Sequence, residues 1–260
     1  MLKDYDYDYF AKYYDIFELD KKDVEDMNSF LIKTLKKYPK VKSIADLTCG
    51  TGLQVFHLLD NGYTNVVGSD ISKNMIEQAK EKAKKQKQKN IEFYVKDMRN
   101  AKFGEHKFDC VITIFNAIAH VTKPGLNDTV KNISGLMNKG GLYILDNINK
   151  EYWTSNCQKY EFIDTAITDK DMRYVRLCKY KITNNGNILN DTQKIYIQEE
   201  YNAPKVINKN WDAQMYSYEF LENTLKKNGF KIIEVYGNFE FAKFNNKDSE
   251  SIVIVAQKIK

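Results

Sequence analysis

Between residues 42 and 147 the apolar positions alternate between two periods. Short, nearly continuous apolar runs predict strands at 42–47 (KSIADL), 65–70 (NVVGSD), 91–97 (IEFYVKD), 108–115 (FDCVITIF) and 141–147 (GLYILDN). Between them, apolar residues three and four apart predict helices. These lie at 53–59, at 73–84 with Ser72 as N-cap and Met75, Ile76, Ala79 and Ala83 on one face, and at 126–137. Two helices precede this block. One is short, at 10–17; the other, at 23–38, carries Val24, Met27, Leu31, Leu35 and Tyr38 at helical spacing and is closed by Pro39. Apolar strands alternating with helices predict a parallel sheet covered on both faces.

The rhythm breaks near Glu151. Residues 159–201 hold three extended runs, YEFIDTAIT, MRYVRLCKYKIT and QKIYIQEEY, separated by the turn signals Asp169-Lys170-Asp171 and Asn184-Asn185-Gly186-Asn187. They predict an inserted antiparallel sheet, a cover more than a second core. A helix at 218–228 is then stopped by Gly229, and KIIEVYG and SIVIVAQK supply two last strands. The link between those two is too short for a helical crossover, so the last strand should enter antiparallel. The expected fold is α/β: a doubly wound, mostly parallel, seven-stranded sheet. Residues 1–150 plus 216–260 form its core and 151–215 the antiparallel insert.

Composition narrows the class. The 260 residues are 43% apolar and 29% charged, as in a soluble globular protein, and no apolar run approaches a membrane span. The start, MLKDYDYDYF, is acidic where a signal peptide is basic and then apolar, which predicts a cytoplasmic protein with no membrane partner. The net charge of +5 draws heavily on KEKAKKQKQK, read as the solvated outer end of a helix and not as a phosphate contact. The cysteines Cys49, Cys110, Cys157 and Cys178 form no CxxC pair, which predicts reduced thiols. With His57, His106 and His120 they make no Cys/His cluster, and no zinc site is expected.

The stretch SIADLTCGTGLQ, residues 43–54, carries the first chemical signal. A strand turns into a helix through glycines, which lets backbone approach a ligand and points free N–H groups at it. Dinucleotide enzymes repeat glycine as G-x-G-x-x-G to seat a pyrophosphate, but the third glycine position here is Val55. Asp46, just before the turn, would repel a pyrophosphate and attract the ammonium of an amino acid. The loop Asp46-Leu47-Thr48-Cys49-Gly50-Thr51-Gly52 resembles motif I, D-x-G-x-G-x-G, of the class I S-adenosylmethionine-dependent methyltransferases, with Thr48 in place of the first glycine. The chain resembles the small-molecule branch, which includes amino-sugar and glycine-type N-methyltransferases.

The resemblance extends over about residues 41–147 and implies the cofactor contacts. Asp46, Thr48, Gly50 and Gly52 belong to the loop. Asp70, ending NVVGSD, matches the carboxylate that takes the ribose hydroxyls, Ile71 the residue on the adenine, and Met75 follows on the next helix. Asp97 and Met98 match the acid and backbone N–H that read the adenine. Phe115 and Asn116 stand in motif IV, and Tyr13 matches an N-terminal tyrosine over the cofactor. His120 and Tyr14 are the expected catalytic residues: histidine is the usual general base near neutral pH, and Tyr14 lies in the N-terminal aromatic segment. Three acids at successive strand ends converge on one crevice, where ligands of open α/β sheets bind.

The implied reaction is methyl transfer from S-adenosylmethionine to an oxygen or nitrogen of a small molecule. The insert would cap the acceptor or form a dimer contact, in a monomer or homodimer. Trp211 and Tyr216 either line the acceptor pocket or pack the insert on the core. Catechol-type relatives hold magnesium with an Asp-Asn pair such as Asp146-Asn147, but also use an aspartate where this chain has Asn116, so no metal is expected. Ile114-Phe115-Asn116-Ala117 is not the N-P-P-Y loop of base-methylating enzymes, so no nucleic-acid partner is expected. A cofactor-binding protein without catalysis is the reading from another class.

Overall fold

The computed structural model describes residues 7–17, 21–88, 91–157, 159–167 and 172–260. Helices α1 (Tyr7–Phe17) and α2 (Lys21–Lys36) precede strand β1 (Ser43–Asp46), α3 (Leu53–Asp60), β2 (Asn65–Asp70), α4 (Lys73–Lys85), β3 (Glu92–Val95) and β4 (Phe108–Thr113). A 3-10 turn, Ala117–His120, leads to α5 (Lys123–Gly135), β5 (Met137–Ile148) and α6 (Lys150–Asn156). Strands β6 (Lys159–Ile167), β7 (Met172–Thr183), β8 (Ile188–Glu199) and β9 (Lys205–Gln214) form the insert. The chain closes with α7 (Tyr218–Lys227), β10 (Phe230–Tyr236) and β11 (Ser251–Lys258).

The main sheet has seven strands in the order β3-β2-β1-β4-β5-β11-β10. Strands β1 to β5 pair in parallel, and β11 lies antiparallel between β5 and β10, as the short link before it requires. Alternate residues of each strand feed opposite faces. Ile44, Ile112, Ile144 and Val253 face α2, α3 and α4 through Leu31, Leu35, Val55, Leu58 and Ile76. Ala45, Val111, Leu145 and Ile254 face α5 and α7 through Val130, Ile133, Leu221 and Leu225. The central strands β1, β4, β5 and β11 are therefore largely apolar on both faces, as a sheet covered on both sides requires, while the edge strands β3 and β10 carry polar residues.

Several elements differ from the sequence-based expectation, among them α1, which includes Tyr7 where residue 10 is the expected start. Strand β5 starts at Met137, not 141, because the chain already pairs with Phe108 there before a register shift. Gly141 marks the close approach: a Cβ on it would come within 2.9 Å of the Asp109 carbonyl oxygen. Helix α5 starts three residues early, at Lys123, with Thr122 capping it and Pro124 in its first turn. The insert has four strands, not three, in the order β6-β7-β8-β9. Its fourth, KVINKNWDAQ, turns Lys209 and Trp211 to the same side as Ile207, so polarity hides its alternation. The turn Asn184-Asn185-Gly186 forms, with all three residues at positive φ; the turn Asp169-Lys170-Asp171 lies outside the described residues.

Two small clusters hold the insert against the core. Phe10 and Tyr13 of α1 pack on Tyr174, Ile195, Ile197 and Ile207. Leu189, Ala213 and Met215 pack on Ala119 of the 3-10 turn. Among the described residues, no helix is long and apolar enough to cross a membrane.

Candidate active site

The glycine loop is organised by carboxylates. Asp46 is buried at the end of β1 and accepts the Thr48 N–H at 3.1 Å. Gly50 and Gly52 have φ of 52° and 89°, which the turn into α3 needs and which glycine adopts without strain. Asp70, at the end of β2, accepts the Gly50 N–H at 2.9 Å on one oxygen and the Ser72 N–H at 2.9 Å on the other. It thus ties the loop to the start of α4. Ser72 caps α4 by accepting the Met75 N–H.

Burial sets the acidity of these groups. It pushes the Asp46 carboxyl up to about 7, against the Thr48 N–H bond, which lowers it; the Asp70 charge adds to the rise. Burial likewise raises Asp70, opposed by the N–H groups of Ser72 and Gly50. At the end of β5, Asp146 is pushed up to about 7 by burial, against the N–H groups of Asn116 and Phe115.

These strand ends open into one cleft of about 380 Å³. Of the sequence-predicted residues, Thr48, Gly50, Asp70, Ile71, Met75, Asp97, Met98, Phe115, Asn116, His120 and Tyr14 line it. Asp46 and Gly52 do not; they lie in the loop beneath. Tyr13 is also elsewhere, buried on the insert with its hydroxyl donating to Glu199 at 3.2 Å. Asp97 lines the cleft but is engaged by its neighbour, since Arg99 Nε donates to both its oxygens at 2.9 and 2.7 Å.

Tyr7 occupies the place expected of Tyr13. Its hydroxyl is hydrogen-bonded to His120 Nε2 at 3.0 Å. Tyr7 and Tyr14 stand seven residues apart on one face of α1, while Phe10 and Tyr13 occupy the face turned to the insert. Helical spacing within YDYFAKYYD contains that division. The other side of His120 is covered by Trp211, stacked at 4.6 Å with an 18° interplanar angle. Trp211 Nε1 donates to Asp191, which also accepts from Gln193 Nε2. Trp211 therefore lines the cleft, whereas Tyr216 is fully buried and donates to the Val121 carbonyl. Asp191, Gln193 and Lys209 also line the cleft and are largely buried. Reading the sequence alone missed them because they sit in β8 and β9, whose register fixes their side.

Helix α1 closes the cleft from above. Asp15 pairs with Thr51 and Lys82, and Asp8 accepts from Ser72 and from the Asn74 N–H. The Tyr14 ring lies over the loop, 3.9 Å from where a Cβ on Gly50 would stand.

Comparison with known proteins agrees with this geometry. Residues 44–141 match the family described as "Methyltransferase domain". A demethylmenaquinone methyltransferase of Lactococcus lactis is 36% identical over an alignment of 109 residues that covers 36% of this chain and 43% of that protein, so the match spans less than half of that relative. A crystal structure of an S-adenosylmethionine-dependent methyltransferase from Clostridium acetobutylicum superposes with a TM-score of 0.81 at 20% identity, over 96% of this chain and 98% of that one. An amino pentose methyltransferase of calicheamicin biosynthesis from Micromonospora echinaspora, with S-adenosylmethionine bound, superposes with a TM-score of 0.73 at 16% identity over 96% of both chains.

The residues present fit that cofactor. Asp46 Oδ2, Thr48 Oγ1 and Asn116 Oδ1 are buried with no partner among the described residues, so acceptors await a donor-rich ligand around the loop. An ammonium group and ribose hydroxyls are donors of that kind. Residues 44–141 match a methyltransferase domain, and the fold around them is that of solved S-adenosylmethionine-dependent methyltransferases.

Proposed function

We propose that this protein transfers a methyl group from S-adenosylmethionine to a nitrogen or oxygen of a small polar molecule, held between the glycine loop and the inserted sheet. One observation carries the reading. The cleft that takes in the loop residues continues to Asp191, Gln193, Lys209 and Trp211 of the insert, with His120 between the two halves. A cap of buried polar groups suits a small polar acceptor. The likeness to an amino pentose methyltransferase along nearly the whole of both chains, insert included, supports the same class.

The cofactor supplies an electrophilic methyl group on a sulfonium. The chain's own residues do the rest. Asp70 holds the ribose end, the loop holds the amino-acid end, and Tyr7, Tyr14 and the insert exclude water while aligning the acceptor. Alignment of this kind contributes roughly 7–11 kcal/mol to such displacements. His120, held between Tyr7 and Trp211, receives the proton released by the acceptor. A general base contributes about 10²–10⁴-fold.

The test begins with calorimetric titration by S-adenosylhomocysteine and, in parallel, by NAD. Micromolar binding of the first alone is expected, followed by turnover with amines or phenols detected as a mass shift. His120→Ala should then lower kcat by about 100-fold with thioether affinity within about threefold. Full activity of that variant at saturating acceptor across roughly pH 6–9 would remove His120 from proton transfer.

Asp46 gives cofactor binding a pH signature. Below about pH 7 its carboxyl keeps a proton in the unliganded protein. A bound ammonium above the loop favours the carboxylate and releases that proton. Affinity for S-adenosylhomocysteine should therefore rise as pH increases from about 5.5 to 7.5 and level off above, approaching tenfold per unit on the acid side. Titration in two buffers of different ionisation enthalpy would show the released proton. A flat affinity over this window would place Asp46 outside the ammonium's reach.

A further inference from the structure

The strand-end pair Asp146-Asn147 stands where catechol-type methyltransferases hold a metal, and it has no task in the reaction proposed for this protein. Its neighbourhood suggests one. Phe115 and Asn116, directly after β4, have φ of 68° and 57°. Two successive non-glycine residues in the left-handed region are strained and persist only where something holds them. Asp146 is 3% exposed, and its Oδ1 accepts the Asn116 N–H at 2.9 Å, with the Phe115 N–H facing the same carboxyl. No glycine relieves the turn; the carboxylate of the adjacent strand holds it.

The held conformation has a consequence for the cleft. Phe115 is 38% exposed although large and apolar, and both Phe115 and Asn116 line the cleft. Asn116 Oδ1 is buried and has no partner among the described residues. An unpaired amide oxygen costs stability unless a ligand supplies a donor. The next residues form the 3-10 turn that ends in His120, so the same clamp sets where the imidazole begins.

We propose that Asp146 is a positioning residue: it locks Phe115 and Asn116 in the left-handed pair and so presents the Asn116 amide oxygen to an N–H or O–H at the reacting end of the cleft. The proposal rests on the reading of the cleft as the methyl-transfer site. Asn116 accepts a hydrogen bond from the attacking group and orients its lone pair, and His120 takes the proton. Asp146 does not line the cleft and acts through the loop.

Two acceptor-independent measurements test it. Sinefungin carries an amine where the transferable methyl stands, and S-adenosylhomocysteine carries nothing there. In Asp146→Ala, sinefungin should bind about tenfold more weakly, the worth of one hydrogen bond, with the thioether within about threefold. Amide exchange over residues 114–118 should accelerate in the same variant, and Asp146→Asn, which keeps an acceptor oxygen, should restore both readouts. Asn116→Gly covers the case in which Asp146→Ala does not fold, because glycine tolerates the left-handed backbone and removes only the amide. It should lose the sinefungin preference alone. Parallel weakening of both ligands, unchanged exchange at 114–118, or a full sinefungin preference in Asn116→Gly would overturn the proposal. A wild-type protein that binds neither ligand would instead overturn the cofactor reading, while the exchange measurement would still judge the Asp146 clamp.

Discussion

Asp70→Ala should weaken S-adenosylhomocysteine binding by about two to four orders of magnitude. Two charge-assisted hydrogen bonds to ribose hydroxyls, at roughly 1.5–3 kcal/mol each, account for that range. The residue also has a second task, because its two oxygens accept the Gly50 and Ser72 N–H groups and hold the loop against α4. Asp70→Asn keeps acceptor capacity and should recover part of the loss. Calorimetry on the three proteins measures both, with thermal melting as a check on folding. A decrease in Asp70→Ala below about fivefold would mean that the ribose lies elsewhere.

The second large effect falls on stability. Gly52 has φ of 89°, and a Cβ added there would stand 2.9 Å from the Phe56 ring and 3.0 Å from the Phe93 ring. Gly52→Val combines a left-handed β-branched residue, costing roughly 1–2 kcal/mol, with overpacking between two aromatic rings, costing about 1–3 kcal/mol. For a chain of this size the melting temperature should fall by about 5–15 °C. A melt within about 2 °C of wild type would show that the loop can re-form around the branch, against the tight contact described.

Much of the site was legible because the chemistry sits where the hydrophobic period changes. Asp46, Asp70 and Asp97 each close an apolar run, and a parallel sheet brings successive strand ends together whatever the details of packing. The short link before SIVIVAQK gave the antiparallel last strand for a similarly local reason. The insert resisted reading because its inner face is mixed. In β9, Ile207, Lys209, Trp211 and Ala213 share one side, so the usual alternation of apolar and polar residues vanishes where the sheet lines the cleft. Asp97 was legible as a strand-end acid, but its pairing with Arg99 was not, since nothing in the spacing says which way the guanidinium turns. Tyr13 and Tyr14 are neighbours in sequence and so point to different faces of a helix. Motif likeness named both, and only helical geometry separates Tyr14, with Tyr7, from Tyr13.

Helix α1 is translated before every surface on which it rests. Phe10 and Tyr13 pack on side chains of β7, β8 and β9, and Asp8 and Asp15 reach Ser72, Thr51 and Lys82. On the ribosome, strands β1 to β5 can pair with one another before β11 and α7 are made, while α1 still lacks the insert that will cover half of it. The cleft is thus finished by the joining of α1 to strands β7, β8 and β9, which are made well after it. A slow or missing insert would leave a folded cofactor domain with a loose amphipathic helix, a form exposed to proteases and to self-association, and the ligand itself would act as the clasp that draws the nascent pieces together.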